Sequence, residues 1–269
     1  MSFAYCLNSS TIQPTPILDK ISIAGTTGYS AIELWHDDID AHLQLGGSID
    51  DITNALADQG LVVPTTIYLA GWFESRGEEH SLALDECKRR MEQSVAVGAE
   101  FVIAGPPGGQ ADYDLGAKNY RELLEIGRSI GVKPSMEFLG FVDQLNTIED
   151  ALEVMTKSGD ETATTILDPF HVFRGGGSME SIAKLRADQI AISHFNDAPA
   201  TPAREQQHDP DRVMPGDGHL DLKRYIELLK QVGYDGFISL ELFREDLWQQ
   251  DPSEVARIGL EKMREVVEG

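Results

Sequence analysis

The chain alternates short, β-rich apolar runs with longer segments of helical period, and this alternation restricts the possible folds more than any other feature. Eight such runs can be counted, at residues 3–7, 31–35, 61–68, 101–104, 133–138, 164–168, 190–195 and 237–242. Strands that are separated by helices pair in parallel, because a helix carries the chain back to the same end of the sheet. We therefore predict eight parallel strands, each followed by a helix.

The segments between these runs have the apolar spacing of helices with one buried face. One of them carries Leu84, Cys87, Met91 and Val95. Several segments end at a glycine just before the next strand, as at Gly131 and Gly233, where glycine closes a helix in the left-handed conformation at low cost. With 269 residues and 41% hydrophobic content, the chain is large enough for one core of this kind. We predict an α/β fold, a (β/α)8 TIM barrel, as a single domain over residues 1–269.

Charge and composition exclude several classes of function. Lys and Arg number 22 against 45 Asp and Glu, and the net charge of -23 would repel a polyphosphate backbone. No run approaches the roughly 18 apolar residues of a membrane span, and no basic segment precedes an apolar one at the N-terminus. Cys6 and Cys87 are too few for a disulfide framework. We expect a cytoplasmic protein that binds a small molecule, and neither nucleic acid nor a membrane.

Each of the last four predicted strands ends in a side chain that can bind a metal. These side chains are Glu137, Asp168, His194 and Glu241. Side chains alternate along a strand, so each shares a face with the residue two positions before it, and these faces converge if they line the barrel. Active sites of this fold form at the carboxyl ends of the strands. Three carboxylates and one imidazole suit Mn²⁺, Co²⁺, Zn²⁺ or Mg²⁺, and ligand type alone does not choose among them.

Each of these acids also has an ordinary structural interpretation. A single carboxylate at a strand end is often a helix cap or a solvated loop group. Three such acids and a histidine inside one barrel are harder to explain in that way, because burying uncompensated acids is costly and a cation would offset the cost. We therefore predict one metal site at this end of the barrel.

Two further residues are candidates for contact with a substrate. His171 lies three residues after Asp168, where it either donates a hydrogen bond to a substrate oxygen, supports a ligand, or simply packs on Phe170 or Phe173. Arg212 lies in the long irregular segment 196–219. It either neutralises a substrate oxygen, holds an acidic ligand, or is a surface arginine.

Several segments resemble the xylose isomerase-like TIM barrels, a superfamily of sugar isomerases and epimerases, and within it the inosose isomerases of inositol catabolism. The similarity is densest in segments 136–140, 167–171, 193–197, 211–218 and 239–244. It implies that Glu137, Asp168, His194 and Glu241 bind the ion, with Mn²⁺ expected ahead of Zn²⁺, Co²⁺ or Mg²⁺. It also implies that Glu137 and Glu241 exchange the substrate proton, while His171 and Arg212 hold substrate oxygens.

The first half of the chain departs from the pattern of that family. Trp35-His36 and Ile67-Tyr68 stand where a smaller or differently polar pocket wall is expected, which leaves the substrate open. The resemblance implies an isomerase or epimerase that moves a proton between adjacent carbons of a keto-polyol, either 2-keto-myo-inositol or a ketose, through an enediolate. Barrels of this group are often homo-oligomers.

Three other functions are alternatives to an isomerase or epimerase. A lyase on the same scaffold, similar to 3-dehydroshikimate dehydratase or to a C-glycoside-cleaving enzyme, would expel a leaving group from the same enolate. A DNA-repair endonuclease of this fold needs more histidine ligands and a basic face, which the charge of -23 opposes. A non-catalytic sugar-binding protein would need the metal but no second proton-transfer group.

Overall fold

A computed structural model describes residues 3–269 of the chain, and Met1 and Ser2 lie outside the described residues. The eight predicted strands are confirmed: they form one closed parallel barrel in chain order, in which β8 pairs with β1. The strands are β1 (Ala4–Asn8), β2 (Ala31–Trp35), β3 (Thr65–Leu69), β4 (Phe101–Ala104), β5 (Lys133–Met136), β6 (Thr164–Leu167), β7 (Ile190–Phe195) and β8 (Phe237–Leu240). The predicted single-domain TIM barrel is therefore confirmed.

Helices follow the strands and cover the outside of the barrel. They are α1 (Ile17–Thr27), α2 (His36–Gln44), α3 (Ile49–Gln59), α4 (Gly77–Ala96), α5 (Tyr113–Ile130), α6 (Ile148–Ser158), α7 (Pro169–Arg174), α8 (Leu222–Gln231), α9 (Glu245–Trp248) and α10 (Pro252–Glu268). Among residues 3–269, none of the helices has the length and apolar character that crossing a membrane requires. Gly131 has a φ of 107° and Gly233 a φ of 84°, so both take the left-handed conformation predicted for them.

The alternation of side chains along the strands divides the core into two layers. Outward-facing residues such as Leu7 and Leu34 belong to the large cluster that packs under the helices. Ile67, Ile103, Ile166 and Ile192 belong to a second, smaller cluster. This cluster combines alternate positions of four strands, as expected for side chains that fill the inside of a barrel. Part of the barrel interior is therefore filled by a packed apolar cluster.

The strand edges differ from the predictions by a few residues, for identifiable reasons. The third strand was expected at 61–68 but begins at Thr65. Pro64 has no N–H to donate, so before it only an isolated bridge joins Val62 to Ala31. The fifth, sixth and eighth strands end before the predicted acids, so Glu137, Asp168 and Glu241 stand immediately after the last paired residue. At that position the backbone is leaving the sheet, which places the acids at the carboxyl rim.

Candidate metal and substrate site

Three of the four predicted metal ligands meet at the carboxyl rim. Asp168, His194 and Glu241 each offer one ligand atom, and these atoms all lie within 4.8 Å of one another. His194 Nδ1 is 3.0 Å from Glu241 Oε2 and 3.8 Å from Asp168 Oδ2. All three side chains are buried. We call these three residues the triad.

Glu137 stands beside the triad but is not one of its members. Its side chain is buried and lines the same cavity as Glu241. Burial raises the pKa of Glu137 to about 8, and the charges of Glu241 and Asp168 add to this effect while His194 opposes it. Without a metal ion in the site, and despite the charge of Arg212, Glu137 therefore favours its protonated form near neutral pH.

Asp168 combines a structural role with its place in the triad. Its Oδ1 accepts hydrogen bonds from the backbone N–H groups of Phe170, at 2.7 Å, and His171, at 3.4 Å, and so caps α7. Its Oδ2 is directed to the other side, 3.0 Å from Arg212 Nη2. Burial alone would raise the pKa of Asp168, but the charges of Arg212, His171 and His194 lower it to about 2. One oxygen thus holds the helix, while the other accepts from Arg212 and, at 3.2 Å, from Asn196 Nδ2 and faces the triad.

Arg212 is buried in the site, so the surface-arginine interpretation does not hold. Its guanidinium carbon lies 4.8 Å from the centre of the Phe170 ring and 5.2 Å from that of Phe243. Its Nη1 donates to Asp209 Oδ1 at 2.6 Å. The segment that was treated as a long irregular loop therefore delivers a cation to the triad. Nothing in the spacing of that segment indicated Asp209 as its partner.

His171 packs on aromatic rings and also reaches the site. Its ring centre is 5.7 Å from that of Phe170, and its Nε2 lies 2.9 Å from Arg212 Nη2. Its Nδ1 lies 3.2 Å from the backbone nitrogen of Gly140. Burial lowers the pKa of His171 to about 4, so the ring is neutral near neutral pH. The ring therefore packs on Phe170, and its Nε2 lies beside Arg212.

A cavity of about 340 Å³ opens above the triad. It is lined by Trp35, Ile67, Tyr68, Gly105, Pro106, Glu137, Leu139, Phe141, His171, Asp209, Arg212, Glu241 and Phe243. Acids and Arg212 occupy its polar side, while Trp35, Tyr68 and Phe243 form an aromatic side. A space of this size suits a small molecule. Trp72 does not belong to this wall, because it is fully buried against Phe73 and Tyr120.

Glu33 and Asn8, to which the sequence analysis gave no role, contact the triad from neighbouring strands. Glu33 in β2 is fully buried, and its carboxylate lies 3.3 Å from His194 Nε2. Asn8, the last residue of β1, donates from Nδ2 to Glu241 Oε1 at 2.9 Å. The acid inside the apolar run Ala31–Trp35 is the sequence signal that could have indicated Glu33, but it was not used.

The chemistry of the triad fits a divalent cation. His194 Nδ1 is buried and forms no hydrogen bond, although it points at the carboxylates of Glu241 and Asp168. Burial alone would lower the pKa of His194, but the charges of Glu241 and Glu33 raise it well above its usual value. The acids therefore draw a positive charge to this point, and a metal ion between the three ligand atoms would satisfy all of them.

Comparisons with known proteins agree with this architecture. Residues 21–266 match the family described as "Xylose isomerase-like TIM barrel". A protein of Bacillus licheniformis named "Inosose isomerase" is 27% identical, and the match covers 97% of each chain. A "3-dehydroshikimate dehydratase" of Pseudomonas aeruginosa is 26% identical over 84% of this chain and 36% of its own. The crystal structure of the IOLI protein with a zinc atom has a TM-score of 0.91 at 26% identity, covering 99% of this chain and 98% of that one. The chain therefore belongs to the xylose isomerase-like TIM barrel family.

Proposed function

We propose that this barrel is a divalent-metal-dependent isomerase or epimerase of a keto-polyol, either 2-keto-myo-inositol or a ketose. The observation that carries the proposal is the convergence of Asp168, His194 and Glu241 beside a cavity that Glu137 also lines. The likeness over 97% of the chain to a protein named inosose isomerase supports the same class of substrate.

In this proposal the triad and Glu137 hold one metal ion. The ion is Mn²⁺, Zn²⁺, Co²⁺ or Mg²⁺; the zinc atom in the similar IOLI protein supports a divalent site, and Mn²⁺ is our first expectation. When bound, the ion supplies positive charge that polarises the carbonyl and hydroxyl oxygens of the substrate and makes the adjacent C–H acidic. Glu137, which favours its protonated form without a metal ion in the site, becomes an ionised carboxylate when positive charge is placed beside it.

Glu137 and Glu241 transfer the proton. They follow β5 and β8, which are not neighbours in the barrel, so they approach a bound substrate from different sides. One carboxylate removes the proton from a carbon next to the carbonyl, which leaves an enediolate. Return of a proton to the neighbouring carbon, with transfer of the hydroxyl proton from one oxygen to the other, moves the carbonyl, whereas return to the first carbon from the opposite side inverts that carbon. The same pair of acids therefore supports isomerisation and epimerisation.

Arg212 and His171 hold the oxygens of the substrate. The guanidinium of Arg212 is fixed between two aromatic rings, so it is already oriented when charge develops on an enediolate oxygen. His171, neutral near neutral pH, adds a hydrogen-bonding ring nitrogen beside it. The rings of Trp35 and Phe243, which also line the cavity, offer an apolar surface for the C–H face of a cyclic polyol.

Exchange of substrate hydrogen with solvent tests this function. In D₂O, with metal-free and metal-reconstituted protein, we expect deuterium to enter one member of a panel of inososes and ketoses only when metal is present. Glu241→Gln should abolish this exchange, whereas the control Glu245→Gln, at an exposed position of the next helix, should leave it unchanged. Failure of the reconstituted protein to exchange any member of the panel would reject the isomerase.

A lyase remains the second candidate because of the similarity to a 3-dehydroshikimate dehydratase. A lyase would form the same enolate and then expel a leaving group, either water or the aglycone of a C-glycoside. Mass spectrometry of the products separates the two functions: an isomerase conserves the mass of the substrate, and a dehydratase lowers it by one water.

A further inference from the structure

The proposed chemistry gives no role to Glu33, although it is a fully buried acid inside the barrel. Four donors surround its carboxylate. Oε1 accepts from Thr65 Oγ1 and from His194 Nε2, and Oε2 accepts from Ser239 Oγ and from Asn8 Nδ2. These donors come from four different strands, β1, β3, β7 and β8. These donors occupy both oxygens of Glu33, and Glu33 does not line the cavity that Glu137 and Glu241 share.

The hydrogen bond to Glu33 determines which nitrogen of His194 is free. An ionised carboxylate only accepts hydrogen bonds, so Nε2, at 3.3 Å, carries the proton that it donates to Glu33. In the neutral ring Nδ1 then has the lone pair, and Nδ1 is the nitrogen that faces Glu241 and Asp168. Glu33 therefore directs the lone pair of His194 toward the centre of the triad.

Asn8 connects Glu33 to a second member of the triad. Its Nδ2 donates to Glu33 Oε2 at 3.1 Å and to Glu241 Oε1 at 2.9 Å. Its Oδ1 accepts from Trp35 Nε1 at 2.9 Å and from the Ser10 N–H at 3.0 Å. Because two donors face Oδ1 and two carboxylates face Nδ2, the amide has one favourable orientation. Asn8 thus occupies one oxygen of Glu241 and leaves Oε2 beside His194 Nδ1.

From these contacts we infer that Glu33 and Asn8 form a positioning pair that fixes Nδ1 of His194 and Oε2 of Glu241 as metal-binding atoms. Neither residue touches the ion or the substrate in this arrangement. The inference rests on the metal site of the proposed function and adds to it the device that orients two of its ligands. Without the pair, the ring of His194 has no preferred tautomer and the carboxylate of Glu241 is free to rotate.

Replacement of Glu33 by Gln tests the pair while keeping the size of the side chain. Gln has one accepting oxygen, and its NH₂ group would face donors that the carboxylate now satisfies. We expect the dissociation constants of Mn²⁺ and Zn²⁺, measured by calorimetry or chelator competition, to rise about 10- to 100-fold. The visible absorption of Co²⁺-loaded protein should also change, because the ligand geometry changes.

Ser135→Ala is the matched control. Ser135 is also a buried polar residue in a strand, and its Oγ pairs with Thr164 Oγ1 at 2.6 Å without touching the triad or Glu33. We expect this variant to keep the metal affinity and the Co²⁺ spectrum of the unmodified protein. Asn8→Ala, which releases Glu241 but leaves Nε2 of His194 bonded to Glu33, should weaken metal binding less than Glu33→Gln.

The outcomes separate this inference from the proposed function. If the unmodified protein binds none of the three ions, the metal site is wrong and the inference fails with it. If the unmodified protein binds metal and Glu33→Gln binds it equally well with an unchanged Co²⁺ spectrum, only the inference is overturned, even when thermal stability falls.

A measurement on the unmodified protein tests the role of the positioning pair if Glu33→Gln does not fold. In Zn²⁺-loaded protein labelled with ¹⁵N-histidine, NMR should find the proton of His194 on Nε2 and the metal on Nδ1. The opposite assignment would overturn the inference.

Discussion

The acids of the site have different protonation states because their surroundings differ. The charge of Arg212 lowers the pKa of Asp168 to about 2 despite burial, whereas burial raises the pKa of Glu137 to about 8. Asp168 is thus always available as an anion, and Glu137 becomes one when positive charge arrives. The surroundings of Asp168 suit a permanently ionised metal ligand. Those of Glu137 suit an acid that gains and loses a proton.

Glu137→Gln separates proton transfer from metal binding. Because Glu137 lies outside the triad, we expect the variant to lose about 10²-fold or more in exchange of substrate hydrogen with D₂O while retaining more metal affinity than Asp168→Asn. The dissociation constant of Mn²⁺ and the exchange rate are measured on the same samples. Glu125→Gln, exposed on α5, is the control. Full exchange activity in Glu137→Gln would remove this residue from proton transfer.

His36 makes the stability of the fold depend on pH. Its Nδ1 bonds to Gln93 Oε1 at 2.6 Å, its Nε2 is buried without a partner, and burial lowers its pKa to about 4. In the unfolded chain the pKa is about 6.5, so the unfolded state binds more protons between pH 6.5 and 4. The contribution to stability is complete above pH 6.5, falls as the pH is lowered through this window, and amounts to about 3 kcal/mol.

Denaturant unfolding between pH 8 and pH 4 measures this contribution. His36→Gln, which does not titrate, should show a smaller decrease in the free energy of unfolding than the unmodified protein over this range. Equal decreases in both proteins would show that folding does not lower the pKa of His36.

At the scale of single residues, the sequence predicted the triad because metal-binding side chains at the ends of consecutive strands form a visible pattern. Glu33 and Asn8 were not assigned, because their roles depend on donors from strands that lie far apart in the chain. The sequence could not decide whether Asp168 is a helix cap or a candidate metal ligand. Its Oδ1 caps α7, whereas its Oδ2 faces Arg212 and the triad.

At the scale of elements, the hydrophobic pattern predicted the strands but not the residues at which the hydrogen bonds between strands begin and end. A ladder hydrogen bond requires a donor and an acceptor on neighbouring strands, so Pro64 delays the start of β3 although Leu61 and Val63 are buried. The structure of segment 196–219 could not be predicted from its sequence either. The carboxylate of Asp197 accepts bonds from the N–H groups of Gly216, Gly218 and Leu220, and these long-range contacts hold the segment that carries Arg212.

The helix after β5 owes part of its stability to one capping box. Thr147 Oγ1 accepts from the Asp150 N–H at 3.2 Å, and Asp150 Oδ2 accepts from the Thr147 N–H at 3.0 Å. Thr147→Ala should lower the free energy of unfolding by about 1 kcal/mol, measured by denaturant titration, because both ends of the box are weakened. Thr156→Ala, at an exposed position of the same helix, should cause little change. Equal effects of the two substitutions would contradict the role of the cap.

At the scale of the whole molecule, negative charge is in excess both on the surface of the barrel and at the candidate metal site. The net charge is -23, and Glu33, Asp168 and Glu241 are buried together with Arg212 as the permanent cation among them. Charge of one sign opposes the compact state, and buried acids need compensation. We therefore expect a cation at the triad to add stability as well as chemistry.

Metal binding should stabilise the whole fold in proportion to the logarithm of metal concentration. A ligand that binds only the folded state adds about 1.4 kcal/mol to the free energy of unfolding for each tenfold increase in free metal above its dissociation constant. Thermal unfolding of metal-free protein titrated with Mn²⁺ or Zn²⁺ should show this dependence. Asp168→Asn should abolish it, because it removes the anionic oxygen from the triad. A midpoint that stays constant in the unmodified protein, or that rises equally in Asp168→Asn, would mean that the three side chains do not hold the ion.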